Sequence, residues 1–419
     1  MKRILALVLA MLMALGCAAF AETAETAEEE AAVSQKVYLG TYDLVENDDP
    51  VDSDAISQKS TLVQTTVTAI PLNTAKTSPV AYPKLVANGV GSSTTDDELR
   101  MYKQMGINHL EISFKDDELD YETMKTIVER FRNFEEGGFD ILLATNGKLQ
   151  KNTSIHLALE DRDAEIERTK EFMVNLSRLG IDTMAIAWQP FGISRSDSTP
   201  VMIHGANAGA SDMEQILNFP LKGERLYTRE EMWETFEYFL DAILPTCEET
   251  GVRMALHPND PPVPYLEGVG SLIITADDYR RAFDLANDSP YLGMKLCTGC
   301  WLEGGTLFTD DMLGDIDEFV RRGKVFEVHF RNVSAPLDAD YSGYFEETLA
   351  QDGYADMYEI MKQLIRSGYN GAIFCDHSHR SVNAELLGSR TNMATSNAFI
   401  QGLIYAARNE VGKELLGVQ

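Results

Sequence analysis

From residue 85 onward, short apolar runs alternate with longer segments of helical periodicity, and this alternation constrains the fold more than any other feature of the chain. The predicted strands are Leu85–Asn88, Ile107–Phe114, Phe139–Ala144, Thr183–Ala187, Val252–Leu256, Tyr291–Leu296, Val325–Val328 and Gly371–Cys375. The predicted helices are Asp96–Met105, Tyr121–Phe134, Leu157–Leu179, Arg229–Thr250, Ala276–Ala286, Asp310–Arg322, Tyr354–Arg366 and Ala394–Arg408. Eight strand–helix pairs in about 325 residues predict an α/β fold, a (β/α)8 barrel.

One polar residue stands next to the end of each of the last four predicted strands. These residues are His257, Cys297, His329 and Asp376. Because a (β/α)8 barrel brings the carboxyl ends of all its strands to one face, we expect the four side chains to converge there. An open, doubly wound sheet is the alternative architecture, but it would not gather four successive strand ends so evenly.

The four side chains form a complete donor set for a divalent transition metal. A single histidine at a strand end is more often a core residue than a ligand, but the shared position on four strands favours ligation. Two imidazoles, a thiolate and a carboxylate suit Fe²⁺, Mn²⁺, Co²⁺ or Zn²⁺ and disfavour Mg²⁺ and Ca²⁺. The sequence therefore predicts a metal site at the mouth of a barrel.

The sequence around these residues resembles the mannonate dehydratases, a family of xylose-isomerase-like TIM barrels with a Mn²⁺ or Fe²⁺ site. The resemblance covers roughly residues 251 to 408, and the motifs that carry it are His257–Pro262, Cys297–Gly299, Val328–Val333, Phe345-Glu346, Gly353, Asp356–Glu359 and Asp376-His377. It implies that the four strand-end residues are the metal ligands and that His377 is the catalytic acid or base. It also implies the dehydration of a sugar acid to a 2-keto-3-deoxy acid.

The chain departs from the family pattern at three places. Asn259 stands where the family has Asp, and Cys300 stands where the family has Ser. The family also carries a catalytic Tyr after the last strand, whereas Leu387–Ser396 contains none. These differences leave two alternatives to a lyase open: a metal-dependent sugar isomerase or epimerase, and a carbohydrate-binding barrel without turnover.

Several polar residues near the predicted ligands have two interpretations each. His377 is either the acid or base of the reaction or a support for Asp376. Arg331 lies two residues beyond His329, on the same face of the strand, and would either clamp a substrate carboxylate or pair with Asp or Glu. Asp260 and His379 are further candidates for substrate binding.

Two pairs of residues give separate expectations. Cys297 and Cys300 form a Cys-x-x-Cys pair, and a redox pair of this kind is normally found where a helix begins. Gly304-Gly305 predict that the helix begins only after them, so a redox function is not favoured. Lys295 and Glu327 each lie two residues before a predicted ligand, on neighbouring strands. Strand alternation therefore predicts an ion pair between Lys295 and Glu327 beneath the metal.

The N-terminus has the pattern of an export signal. Lys2 and Arg3 precede an apolar run, and Ala19-Phe20-Ala21 resembles a cleavage site, so residues 1–21 are predicted to be a signal peptide of an exported protein. Lipid attachment at Cys17 is the less favoured alternative. Residues 22–82 are predicted to form a partly disordered N-terminal extension, residues 83–410 the barrel and residues 411–419 a C-terminal tail.

The composition excludes some partners. The net charge is −30, from 66 acidic and 36 basic residues, and such a surface repels nucleic acid and discourages binding to anionic lipid. Apart from the leader, no segment predicts a membrane span. The expected partner is a small sugar acid or sugar, and an oligomer is left open.

Overall fold

The computed structural model describes residues 80–135, 137–196, 201–203, 206–376 and 393–417. They fall within a compact unit that spans Ser78–Gln419. The predicted leader with Cys17, almost all of the predicted N-terminal extension, and the candidate site residues His377 and His379 lie outside the described residues. None of the helices in these ranges combines the length and the apolar character that a bilayer crossing requires.

Eight strands form a closed parallel barrel, as the alternation predicts. They are β1 Lys84–Val90, β2 His109–Phe114, β3 Asp140–Asn146, β4 Thr183–Ala187, β5 Arg253–His257, β6 Leu292–Cys297, β7 Val325–His329 and β8 Ala372–Phe374. Each strand pairs with its neighbours in sequence, and β8 closes the barrel by pairing with β1. The carboxyl ends of β5 to β8 therefore lie side by side at one face.

A helix follows each strand. The eight helices are α1 Asp96–Gln104, α2 Tyr121–Arg132, α3 Arg162–Arg178, α4 Arg229–Thr250, α5 Ala276–Leu285, α6 Met312–Arg321, α7 Met357–Arg366 and α8 Met393–Leu416. Local chemistry sets many of their ends. Thr228, for example, begins α4 with a capping box to Glu231, and Gly251 ends it at φ 73°.

Two helix boundaries differ from the prediction by five residues or more. The helix predicted from Leu157 begins only at Arg162, because Asn146 and Asn152 cap two short helices, Gly147–Gln150 and Thr153–His156, ahead of it. At the other end, α8 continues to Leu416, well beyond the predicted end at Arg408. Val411 on this extension is fully buried, so the last helix packs within the segment for which the sequence predicts a C-terminal tail.

The long segments after β4 and β7 contain small strands of their own. Ala210–Asp212, from the segment after β4, pairs antiparallel with Tyr344–Thr348, from the segment after β7. Tyr344–Thr348 also pairs with Asn332–Val333. This three-stranded sheet joins two segments in which the sequence predicts no strand, and it brings their polar side chains to the mouth of the barrel.

Candidate metal centre

The structure brings the four predicted ligands together at the ends of β5 to β8. Potential ligand atoms of Cys297, His329 and Asp376 lie within 4.8 Å of one another. His257 joins them through Cys297, and its ring centroid is 5.2 Å from that of His329. Nδ1 of His329 is 3.3 Å from Oδ2 of Asp376. The predicted convergence is therefore present, and ligation by these residues stays a prediction.

Strand register accounts for this convergence. Cys297 at the end of β6 lies opposite His329 at the end of β7, and His329 lies opposite Phe374 at the end of β8. Asp376 follows two residues after Phe374. The parallel ladder therefore fixes the donors on three neighbouring strands at nearly the same height.

The two imidazoles are oriented in ways that suit a cation. Nδ1 of His257 donates a hydrogen bond to the carbonyl of Pro258 at 2.6 Å, so Nε2 keeps its lone pair. Burial lowers the pKa of His257, which favours the neutral ring that can bind a metal. Among the described residues, neither ring nitrogen of His329 has a hydrogen-bond partner, although the ring is largely buried. A metal ion would give one of these buried nitrogens the partner that it lacks.

Cys297 has the electrostatic surroundings of a thiolate. Burial would raise the pKa of the thiol, but a hydrogen bond from Cys300 and the positive charge of Arg331 lower it well below its usual range. Cys297 also immediately precedes a short helix, Thr298–Gly304. The prediction that no helix opens at this Cys-x-x-Cys pair is therefore wrong. Gly305, at φ 51°, follows the end of this helix, so the two glycines terminate a helix and do not delay one.

Arg331 is enclosed by carboxylates. It is 2% exposed, and its nitrogens lie 3.2 Å from Asp376, 3.1 Å from Asp260 and 2.7 Å from Glu303. A Cβ on Gly299 would come within 2.4 Å of the guanidinium, so this glycine lets the arginine pack against the helix. The geometry agrees with the ion-pair interpretation of Arg331, and binding of a substrate carboxylate stays a prediction.

Asp260 is equally enclosed, at 1% exposure. Besides Arg331, it accepts two hydrogen bonds from Arg195, at 2.6 and 3.1 Å. Arg195 also donates from Nε to Glu347 at 3.1 Å. The carboxylate of Asp260 thus pairs with two arginines, and its contact with substrate hydroxyls stays a prediction.

The sequence gives no signal for several charged residues of this site. Arg195 comes from the segment after β4 and Glu347 from the small sheet, and neither stands at a predicted strand end. Glu303 lies near the end of the short helix Thr298–Gly304. Burial, followed by the negative charge of Asp260, raises the pKa of its carboxyl to about 8. Lys151 follows another short helix, and burial lowers the pKa of its amine although Asp260 acts in the opposite direction.

A buried ion cluster lies one layer below the four donors, as predicted. The amine of Lys295 forms an ion pair with Glu327, and both side chains are almost fully buried. The third member is Glu111 from β2, whose carboxylate oxygen lies 4.0 Å from the amine of Lys295. The sequence gives no signal for this residue. Glu327 lies 3.6 Å from Nε2 of His329, so the cluster reaches the donor layer.

The fold and the site together define a (β/α)8 barrel with a buried candidate metal centre at its carboxyl face. Residues 221–414 match the family model described as D-mannonate dehydratase (UxuA). The mannonate dehydratase of Lactococcus lactis subsp. cremoris is 28% identical over 265 residues, which cover 55% of this chain and 73% of that protein. The mannonate dehydratase of Streptococcus suis is 29% identical over 287 residues, which cover 61% and 74%.

A solved structure shares the fold. The crystal structure of mannonate dehydratase from Streptococcus suis serotype 2 superposes with a TM-score of 0.68 at 24% identity and covers 79% of this chain and 97% of that one. The chain is therefore similar in sequence to mannonate dehydratases over part of its length, and it shares their barrel fold.

Proposed function

We propose that this chain is a metal-dependent hydro-lyase that removes water from a sugar acid similar to mannonate and yields a 2-keto-3-deoxy acid. The observation that carries the proposal is the meeting of His257, Cys297, His329 and Asp376 at the barrel mouth. These four donors lie within residues 221–414, the same segment that matches the dehydratase family model.

The donor set fits a transition metal, and we propose Mn²⁺ or Fe²⁺, with Zn²⁺ and Co²⁺ as alternatives. His257, Cys297, His329 and Asp376 would hold the ion. A bound divalent cation supplies a Lewis acid that stabilises the negative charge created when a proton leaves the carbon next to the substrate carboxylate.

Residues of the chain would carry out the proton transfer and hold the substrate. Dehydration breaks the C–H bond next to the carboxylate and the C–O bond of the β-hydroxyl, and the hydroxyl leaves as water after it receives a proton. We assign this proton transfer to His377, which directly follows Asp376 in the sequence. Arg331 lies against Asp376 and would hold that carboxylate in place, with Asp260 and His379 as candidates for contact with the substrate.

The test is incubation of the Mn²⁺-loaded protein with a panel of sugar acids, with metal-stripped protein as the control. Release of a 2-keto-3-deoxy acid that depends on the metal is the expected result. An isomeric product would instead indicate an isomerase or epimerase. Saturable binding without any product would indicate a carbohydrate-binding barrel, and either outcome would overturn the proposed dehydration.

The role of His377 has its own test. We expect His377→Ala to keep the metal content of the wild type but to lower kcat by about 10²-fold or more, because the proton acceptor or donor is removed. Metal analysis of the same samples separates loss of catalysis from loss of the ion. An unchanged kcat would remove His377 from the mechanism.

A further inference from the structure

Cys300 is a buried thiol beside the candidate metal centre that the four-donor set does not use. Its sulfur lies within 4.8 Å of potential ligand atoms of both His257 and Cys297, and the side chain is 0% exposed. It lies in the first turn of the helix Thr298–Gly304, and this turn brings its sulfur back toward that of Cys297. Cys300 therefore lies beside two of the four predicted donors, His257 and Cys297.

The charged groups beside Cys300 are of both signs. The guanidinium of Arg331 lies 3.7 Å from its sulfur, and the two groups are fully enclosed. The carboxylates of Asp260 and Glu303 also lie within 4.8 Å of this sulfur, so Arg331 offsets only part of the negative charge that a second thiolate would add, and a bound metal ion would have to supply the rest. Two cysteines with two residues between them, together with a histidine, are also a common donor combination for Zn²⁺.

We propose that Cys300 supplies a second thiolate to the bound ion, and that the centre therefore prefers Zn²⁺, Fe²⁺ or Co²⁺ to Mn²⁺. The inference rests on the proposed metal centre and narrows its choice of ion: of the four ions proposed above, it keeps Fe²⁺, Zn²⁺ and Co²⁺ and disfavours Mn²⁺. Soft thiolate ligands favour these ions, whereas Mn²⁺ is better suited by carboxylate and water oxygens. Ligation replaces the proton of the Cys300 thiol, which passes to solvent.

The first test counts sulfur ligands in the unmodified protein. X-ray absorption spectroscopy of the Zn²⁺-loaded chain is expected to show two sulfur atoms in the coordination shell, from Cys297 and Cys300. A single sulfur would overturn the proposal while leaving the metal centre intact. Failure of the chain to bind any ion would overturn the proposed metal centre as well, so the two failures are distinguishable.

The second test uses Co²⁺ as an absorbing substitute. Its thiolate charge-transfer band in the near ultraviolet should fall to about half in Cys300→Ser, because two thiolate ligands become one. Cys247→Ser is the matched control, since Cys247 is a buried thiol in α4 and should leave the band unchanged. Equal bands in wild type and Cys300→Ser would contradict the proposal.

The preference between ions gives a third readout. In competition experiments, we expect Cys300→Ser to lower the preference for Zn²⁺ over Mn²⁺ by about tenfold or more, because a soft ligand is replaced by a hard one. The Cys247→Ser control should keep the wild-type preference. An unchanged preference in Cys300→Ser would show that this sulfur does not contribute to ion selection.

Discussion

At the scale of single residues, the donor atoms that have no hydrogen-bond partner within the protein are the ones available to a metal ion. Nδ1 of His257 donates a hydrogen bond to the carbonyl of Pro258, whereas the nitrogens of His329 have no hydrogen-bond partner among the described residues. A buried polar atom without a partner costs free energy, so the metal-free site is less favourable than one with a cation. Metal binding should therefore stabilise the folded chain.

The ligand assignment can be tested by metal analysis. We expect about one equivalent of transition metal per wild-type chain, and loss of most of it in His257→Ala and in Asp376→Ala, because each variant removes one donor. His109→Ala is the control, since His109 begins β2 at the opposite end of the barrel. Full metal content in both ligand variants would rule out the four-donor assignment.

His156 is a buried histidine outside the donor set. Its ring lies 4.1 Å from that of Trp188, and burial lowers its pKa from the ordinary value of 6.5 to about 3. Between these two pH values the unfolded chain binds a proton at this position and the folded chain does not. The free energy of unfolding therefore falls as the pH drops below 6.5.

Replacing His156 tests this linkage. We expect His156→Phe, which keeps a ring against Trp188, to lose about 2 kcal/mol less stability than wild type between pH 7.5 and pH 5. Urea unfolding at both pH values measures the difference. Identical losses of stability in the two proteins would show that His156 is protonated in the folded state or is not buried.

At the scale of elements, the alternation of side chains along β6 and β7 places charges inside the barrel. Lys295 and Glu327 are opposite each other in the strand register, and each lies two residues before a donor. The same alternation on β2 brings in Glu111, whose Oε2 also accepts a hydrogen bond from the backbone of Gly89 at 3.2 Å. The pair follows from local sequence, whereas the third member requires the barrel to close.

Removal of the central amine should be costly. We expect Lys295→Met to lower the free energy of unfolding by about 3–5 kcal/mol, because Glu327 and Glu111 stay buried without their cation. Adding Glu327→Leu should recover only part of this loss, since Glu111 still lacks the amine. Urea unfolding measures both variants.

A surface pair provides the control for this experiment. Lys125, which is 41% exposed, lies 3.8 Å from Glu129 in α2. Lys125→Met should change the free energy of unfolding by less than about 1 kcal/mol, because exposed ion pairs contribute little. Equal effects of the buried and exposed substitutions would contradict a buried ion cluster.

The element boundaries show where local patterns are insufficient. The apolar periodicity predicts all eight strands, and the ends of α4 are predicted at the observed residues. The start of α3 and the helix after Cys297 are not predicted. An asparagine can cap a short helix as well as a long one, and a glycine pair can follow a helix as well as precede one. The three-stranded sheet at the mouth is missed because its strands are as short as two residues and pair across long stretches of sequence.

At the scale of the whole molecule, we propose that the chain is exported, with residues 1–21 as its leader. The basic residues Lys2 and Arg3, the apolar run after them and Ala19-Phe20-Ala21 support this proposal. We expect the mature protein, isolated from cells that produce it, to begin at Glu22, as read by N-terminal sequencing. A mature chain that retains Met1 would contradict cleavage, and one that begins with lipid-modified Cys17 would indicate an anchored lipoprotein.

The sequence alone determined the barrel and the convergence of the four predicted donors. Both depend on local patterns, because each apolar run forms a strand and barrel closure then brings the ends of β5 to β8 to one face whatever the intervening segments do. Only the tertiary structure decided the charged surroundings of the donors, in which Arg331 lies between Asp260, Glu303 and Asp376. Arg195 and Glu347 are 152 residues apart and meet only through the small sheet. Contacts of this kind depend on how distant segments fold over the mouth of the barrel, and the periodicity of the sequence does not predict how these segments fold.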